Sequence, residues 1–504
     1  MVIETPQRSA VDTLRRDALA ELRSVLSAAD FAGAARCAVR LHAALPHQST
    51  LERNVVLVAY GGGKDSSYTL TFVRAMQLIL FQIHGATFRM RVATNRHAGM
   101  PRVVMENIDR AYRALSLSAD PDCELLLIDG TTVSVFDVDL PQSPAVIERN
   151  RVDILMTGHR TAGDARPTFC NACNLSMVNS FGLAAAYGDG VDLIITGDSR
   201  REQRDYVLWV NRLARRFGLQ PPTGERQGFK GFLGSLNRIA GAYFSDIHGA
   251  EAQQTVAEHA ITTDVHPDLQ FFSIYDDTAY AAGEHWELLT EFLGFVFDDI
   301  AFSFTESDCG NPSLMAHLRA LKAERCHGRS YAEGLLEYVE FAVSLMRRKE
   351  FPERLVTIMQ ERYTMPGAVE RMRAAMDAYA SEAYGLTEEQ LVAMVHAPFA
   401  EKGVGLARYL AAEQPDLVGE ASRIHELLAA ADDEVALTAR LERLSGLTLA
   451  QLRVLYRSSL RLPSLQPAEG ELIDAILSGD PHKDVIMTRR EAGGDLVPEL
   501  LSGR

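Results

Sequence analysis

No apolar run in the sequence approaches the roughly 18 residues that a membrane-crossing helix needs. A membrane span, and with it a membrane partner, is therefore not expected. The opening stretch MVIETPQRSAVDTLRRDALAEL has no apolar signal region, so the expectation is a cytoplasmic protein. Cysteine is scarce, with Cys37, Cys123, Cys170, Cys173, Cys309 and Cys326 the six in 504 residues. That density excludes a disulfide framework. Positive charge is in deficit, with 51 Lys and Arg against 67 Asp and Glu and a net charge of −16. This argues against a surface built for a nucleic-acid backbone. One local exception, Arg200, Arg201, Arg204, Arg212, Arg215 and Arg216, reads as a solvated helix face. Internal repeats and low-complexity tracts are also missing.

What is present is an ordinary globular composition, 47% hydrophobic and 23% charged. The length suggests about two to four domains. The most informative stretch is NVVLVAYGGGKDSS at 54–67. Its apolar run at 55–59 reads as a buried strand. Gly61, Gly62 and Gly63 follow, then Lys64, Asp65, Ser66 and Ser67, and the run 68–82 reads as a helix. Glycines let N–H groups converge in one concavity, and a helix start adds a positive dipole end. Strand, glycine loop and helix together make a phosphate cradle. The spacings GxxxxGK[ST] and GxGxxG are both absent, which excludes two familiar phosphate loops.

Further strands are expected at 88–94, 124–128, 192–196 and 269–275, with 152–156 either strand or helix. In an open α/β sheet, ligands bind beyond the carboxyl ends of strands. Asn95, Arg96 and His97 would sit there, as would Thr196, Gly197 and Asp198. Cys170 and Cys173 form a C-x-x-C at the expected start of a helix over 175–187. That spacing lets two thiolates reach one ion, and a helix start lowers thiol pKa. Residues 221–245 read as a loop or lid leading into a helix. Helices are expected over 11–45, 286–297 and 315–350. From about 351 onward Ala, Leu, Glu and Arg recur at helical spacing, up to a tail that reads as partly flexible.

Gly61-Gly62-Gly63-Lys64-Asp65-Ser66 resembles SGGxDS, the pyrophosphate loop of the PP-loop (N-type) ATP pyrophosphatases. It departs at the first position, where Gly61 replaces serine and removes a hydroxyl. The resemblance implies an α/β fold: a parallel-sheet, Rossmann-like core of the adenine nucleotide alpha hydrolase kind, with helical N- and C-terminal extensions. The expected boundaries are 1–50, 51–330 and an all-α 331–504. It also implies that ATP is cleaved between its α- and β-phosphates. Gly61, Gly62, Gly63, Ser66 and Ser67 would receive pyrophosphate, Lys64 would add charge, and Asp65 would help hold Mg²⁺. Asn95 and His97 would contact adenosine, and Thr196, Gly197 and Asp198 would line the opposite wall.

The order of loop, C-x-x-C and Thr-Gly turn resembles the tRNA-thiolating, 2-thiocytidine synthetase-like branch of that superfamily. There Cys170, Cys173 and a third cysteine would hold a 4Fe–4S iron–sulfur cluster. Cys309, in ESDCGNPSL, resembles that third cysteine. The basic run expected after Cys173 and a tRNA-binding module are missing. The residues themselves leave four readings open: a cluster, a Zn²⁺ site completed by Cys326 or His327, redox thiols, or unliganded core cysteines. The expected reaction adenylates a carbonyl, carboxyl or amide oxygen, after which a sulfur nucleophile displaces AMP. The alternative is an amide or C–N ligase or amidotransferase with structural zinc. A non-catalytic nucleotide-binding module is a third reading, with Gly61 marking lost activity. A small-molecule or carrier-bound substrate and a sulfur donor are favoured over tRNA. The C-terminal helices would recognise substrate, form a homodimer or dock a carrier.

Overall fold

The computed structural model describes residues 6–197, 200–223, 228–249, 252–266, 269–278, 285–301, 309–348, 353–430, 434–462, 464, 470–478 and 483–502. The chain divides into two units that interleave in sequence. One comprises Met1–Pro141, Leu175–Ile239 and Ala260–Asp298; the other comprises Gln142–Asn174, Ala240–His259 and Asp299–Arg504. No described helix is long and apolar enough to cross a membrane.

The first unit opens with helices α1 (Pro6–Val25) and α2 (Ala28–Ala44), which lie against α3 (Lys64–His84). Strand β1 (Val55–Ala59) is the apolar run VVLVA, and its central three residues are fully buried. Such a run suits a strand covered on both faces. It pairs in parallel with β2 (Arg89–Arg96) on one side and with β5 (Leu193–Ile195) on the other. Beyond β2 lies parallel β3 (Cys123–Asp129), then antiparallel β4 (Thr132–Val135). Beyond β5 lies parallel β6 (Gln270–Phe271). The six-stranded order is therefore β4-β3-β2-β1-β5-β6. The architecture is α/β with a largely parallel sheet, as the composition of the strands implies.

Helix α3 starts at Lys64 rather than near residue 68, so the whole Lys-Asp-Ser-Ser segment is helical. From Ser67 to Phe81 every residue of α3 is buried. Tyr68 ties it to α2, donating its hydroxyl proton to Asp30 Oδ1 at 2.7 Å. Helix α4 (Arg102–Ala114) buries Val104, Met105, Ile108, Ala111 and Tyr112 and forms the β2–β3 connection.

A buried ionic network sits at the amino ends of β2 and β3. Asp120 accepts from Arg15 of α1 at 2.5 Å and 2.9 Å and from Arg74 of α3 at 2.9 Å. Arg74 is fully buried and also donates to Gln77 Oε1 and to the Leu115 carbonyl. Gln77 in turn donates to the Phe88 carbonyl at 3.0 Å, just before β2. Burial alone would push the Asp120 carboxyl up. The Arg15 hydrogen bonds and the charges of Arg74 and Arg15 outweigh it and hold the carboxyl below its ordinary value.

The second unit is mainly helical. Helix α5 (Pro144–Thr161) resolves the ambiguous 152–156 segment as helix. Helix α6 (Ala165–Ala186) begins about ten residues before the expected 175, and helix α7 (Arg200–Arg216) belongs to the first unit. Helix α8 (Gly228–His248) replaces most of the expected lid, and a short helix α9 (Gln253–Glu258) follows. Asp153 of α5 receives His248 Nε2 and His259 Nε2, each at 2.8 Å. The 286–297 segment holds only a single wide helical turn, Leu288–Phe292. Helices α10 (Asn311–His327) and α11 (Tyr331–Arg348) pack side by side, and further helices run to Ser478. The C-terminal region is not all-α. It ends in an antiparallel hairpin, β7 (Lys483–Arg489) with β8 (Leu496–Ser502), across the segment read as a flexible tail. Glu499 and Thr488 of that hairpin bond Arg319 of α10, so a tertiary ion pair anchors a segment with weak local signals.

Replacing Asp120 by alanine would leave Arg74 buried and unpaired, and should cost roughly 3–5 kcal/mol in urea unfolding. The sign with pH follows from the depressed carboxyl. The stabilisation is complete above the unfolded carboxylate value of about 4 and is lost as pH falls through the lower folded value. Asp120→Asn should flatten that acid limb, and an unchanged limb would show the network to be inert.

Candidate active site

The strand order reverses at β1: β2 and β3 lie to one side, β5 and β6 to the other. The crevice outside the carboxyl ends of β1 and β5 is the place where open α/β sheets take ligands. Both conspicuous turns of the sequence meet there. Tyr60, Gly61, Gly62 and Gly63 leave β1 and enter α3. Gly62 has φ +78°, and a Cβ there would stand 2.7 Å from Ile108 and 2.9 Å from Val104 of α4. Only glycine meets both constraints. Gly63 is the N-cap and offers no side chain to the first turn of α3. The positive end of the helix therefore faces the crevice.

Tyr60 stiffens this turn. Its N–H donates to the Ala93 carbonyl at 3.0 Å, and its carbonyl accepts from Thr94 Oγ1 at 2.9 Å. Its buried hydroxyl lies 3.0 Å from Ser67 Oγ. Burial raises the Tyr60 hydroxyl pKa far above the physiological range, so it stays protonated. Ser66 and Ser67 each donate to the Gly63 carbonyl at 2.9 Å. The two hydroxyls thus hold the turn from within, where the expectation had them facing phosphate. Lys64 is buried and Asp65 half-buried in the same first turn.

The opposite wall is Thr196-Gly197, directly after β5. Thr196 is buried and accepts from Gln203 of α7 at 3.1 Å. The Gly197 carbonyl accepts a hydrogen bond from the Tyr275 hydroxyl. A Cβ on Gly197 would lie 3.6 Å from Thr69 Oγ1 of α3, so the turn sits against the helix that follows the glycine turn. Asp198 lies outside the described residues.

Asn95 and Arg96 end β2 rather than following it. Asn95 Oδ1 is buried without a hydrogen-bond partner among the described residues. Arg96 is held structurally by Asp129 at 2.8 Å and by the carbonyls of Leu140 and Pro141. His97 is buried, and its Nδ1 accepts from Gly99 N–H at 3.1 Å. That bond places the ring proton on Nε2.

Cys170, Cys173, Cys309 and Cys326 belong to the second unit. Cys170 lies inside α6, not at its start, so the helix-start activation of its thiol does not apply. The side chain of Cys173 and residues 306–308 lie outside the described residues. Cys170 and Cys309 are both buried and unoxidised. One aromatic joins their segments: the Tyr384 ring is 6.4 Å from that of Phe169, and its hydroxyl donates to Asn311 Oδ1 at 2.6 Å. Cys326 donates instead to the Val395 carbonyl at 3.7 Å. Among the described residues no group of three His, Cys, Asp or Glu is arranged to hold a metal.

Motif reading misses Tyr60, Gln203 and Tyr275, because each acts across the sheet end and none has a local signature. Tyr60 alone had a cue, its place between a buried strand and three glycines. Gly62→Ala should cost roughly 1–3 kcal/mol from its left-handed backbone alone, with added loss from the α4 clash. Tyr60→Phe should cost about 1 kcal/mol; a wild-type unfolding midpoint in both would show that the turn carries no constraint. No family model, no curated protein and no solved structure matches this chain, so the crevice and its residues are read from their own geometry.

Proposed function

We propose that the chain is an ATP-dependent adenylating enzyme of the PP-loop type. The observation that carries this reading is the glycine turn, with Gly62 at φ +78°, that opens α3 at the strand-order reversal. A triphosphate laid on Gly61, Gly62 and Gly63 meets backbone N–H groups and the positive helix end. Lys64 adds a positive charge. Asn95 Oδ1 offers a buried acceptor for a ribose hydroxyl or the adenine amino group.

The reaction follows from that placement. An acceptor oxygen attacks the α-phosphorus of ATP, the bond from the α-phosphorus to the bridging oxygen breaks, and pyrophosphate departs on the glycine turn. The protein's part is to hold the phosphates in line and to neutralise the charge that develops on the leaving oxygen. Asp65, a carboxylate beside that cradle, has the hard oxygen donor that Mg²⁺ takes, and such an ion would spread the phosphate charge. A nucleophile then attacks the activated carbon, and AMP leaves with the bonding electrons.

Sulfur is the proposed nucleophile, supported by Cys170 and Cys309, whose segments meet at Tyr384. Soft thiolates from Cys170, Cys173 and Cys309 suit an iron–sulfur cluster, and such a cluster would supply bound sulfide. The acceptor is a small or carrier-bound carbonyl compound.

Two measurements test this. Calorimetric titration with α,β-methylene-ATP should give saturable binding, reduced at least about tenfold in Asp65→Ala with Mg²⁺ present, the energy of one lost charged contact. Turnover with ATP and a cell-extract acceptor should release AMP and pyrophosphate in equal amounts. Release of ADP and phosphate would sink the adenylation reading. Anaerobically purified protein should hold iron and acid-labile sulfide that disappear in Cys170→Ala. One equivalent of zinc instead would favour amide or C–N bond formation.

A further inference from the structure

Helix α7 leaves the Thr196-Gly197 turn with a face that the proposed chemistry does not use. Val210, Leu213 and Ala214 are buried and define its inward side. At 3.6 residues per turn, Arg204, Leu208, Arg212 and Arg215 fall on one outward stripe. All four are exposed. Leu208, between the arginines, is 49% exposed. Arg204 has one weak partner, Asp205 at 3.9 Å. Among the described residues no carboxylate pairs with Arg212, Arg215 or Arg216, and Arg216 lies over the Phe217 ring. In a chain of net charge −16, this cationic stripe with an apolar centre stands apart.

Two simpler readings fit less well. A merely solvated face gives no reason for Leu208 to stand between Arg204, Arg212 and Arg215. Single-stranded RNA would require aromatic faces for stacking. The helix's own aromatics face one another: Tyr206 stacks on Trp209 at 6.0 Å and meets Phe232 edge-on at 5.8 Å. What the stripe complements is a second helix, acidic on its flanks and apolar along its centre. Its position adds the functional link. Gln203 ties the first turns of α7 to Thr196 in the crevice wall. At 1.5 Å per residue the stripe then runs from near that wall to about 18 Å away.

We propose that this stripe docks an acidic amphipathic helix of a carrier protein, which presents the acceptor to the crevice. The delivery role rests on the adenylation reading; the docking does not. The test is fluorescence anisotropy on the full chain. The probe is a fluorescein-labelled 18-residue helical peptide with glutamates flanking a leucine stripe. Controls are the same peptide with glutamine for glutamate and a 20-nucleotide single-stranded RNA. The acidic peptide should bind, weaken with salt, and lose at least about tenfold in affinity in Arg212→Glu/Arg215→Glu, as for a lost charge pair. Leu208→Asp should weaken it at least about threefold, since apolar burial is lost. Equal binding of the glutamine peptide, no binding, or binding untouched by these variants would overturn the proposal. So would preferential RNA binding abolished by the same variants. Titration with α,β-methylene-ATP runs in parallel. Peptide binding without nucleotide binding would remove the adenylation reading and leave the docking face standing.

Discussion

A central strand buried on both faces and paired on both edges must end in a turn that neither neighbour can follow. Much of the first unit is arranged around that constraint at the carboxyl end of β1. The backbone reverses through Gly62 at φ +78°, pressed against Ile108 and Val104, and enters α3 at once. Two bonds from Tyr60 to Ala93 and Thr94 fix the strand end, and its hydroxyl reaches Ser67 in the helix. The turn is thus preorganised by protein contacts. A ligand binding there would not have to order it.

The two ends of the sheet divide the work. At the amino ends, charge is buried for cohesion: Arg15, Arg74 and Asp120 join α1, α3 and the approach to β3. These guanidinium groups are occupied by the fold. At the carboxyl ends lie the glycine turn, the Thr196-Gly197 turn and Asn95, whose buried Oδ1 has no hydrogen-bond partner among the described residues. Open α/β sheets take ligands where strand ends leave backbone groups and helix dipoles uncommitted. Stability collects where ion pairs can be enclosed.

The second unit makes a different use of polar groups. Asp153 binds His248 and His259, and Arg319 ties the C-terminal hairpin to α10 and α11. Tyr384 joins the segments of Cys170 and Cys309. In each case one side chain links elements far apart in sequence. A single removal would therefore disturb two segments at once, and non-additive effects are expected there.

Local chemistry was enough to read the central strand, its exact residues, the glycine turn and the helix after it. Val55–Ala59 is apolar throughout, and three glycines before a Gly- and Pro-free run leave few other conformations. The Thr196-Gly197 turn was legible for the same reason. Other features depended on contacts between distant residues. The start of α6 lies well before 175 because Ala, Cys and Asn carry no strong signal against extending a helix. The hairpin β7–β8 forms in a stretch whose Gly, Asp and Pro weaken local strand preference, with Glu499 and Thr488 anchored on Arg319. Arg96 sits at the strand end, where ligands bind, yet Asp129 and the carbonyls of Leu140 and Pro141 engage its guanidinium, and Gly99 N–H engages Nδ1 of His97. Sequence determined where the chain must turn; tertiary structure decided which polar groups the fold consumes, because a hydrogen-bond partner is a fact of three-dimensional proximity.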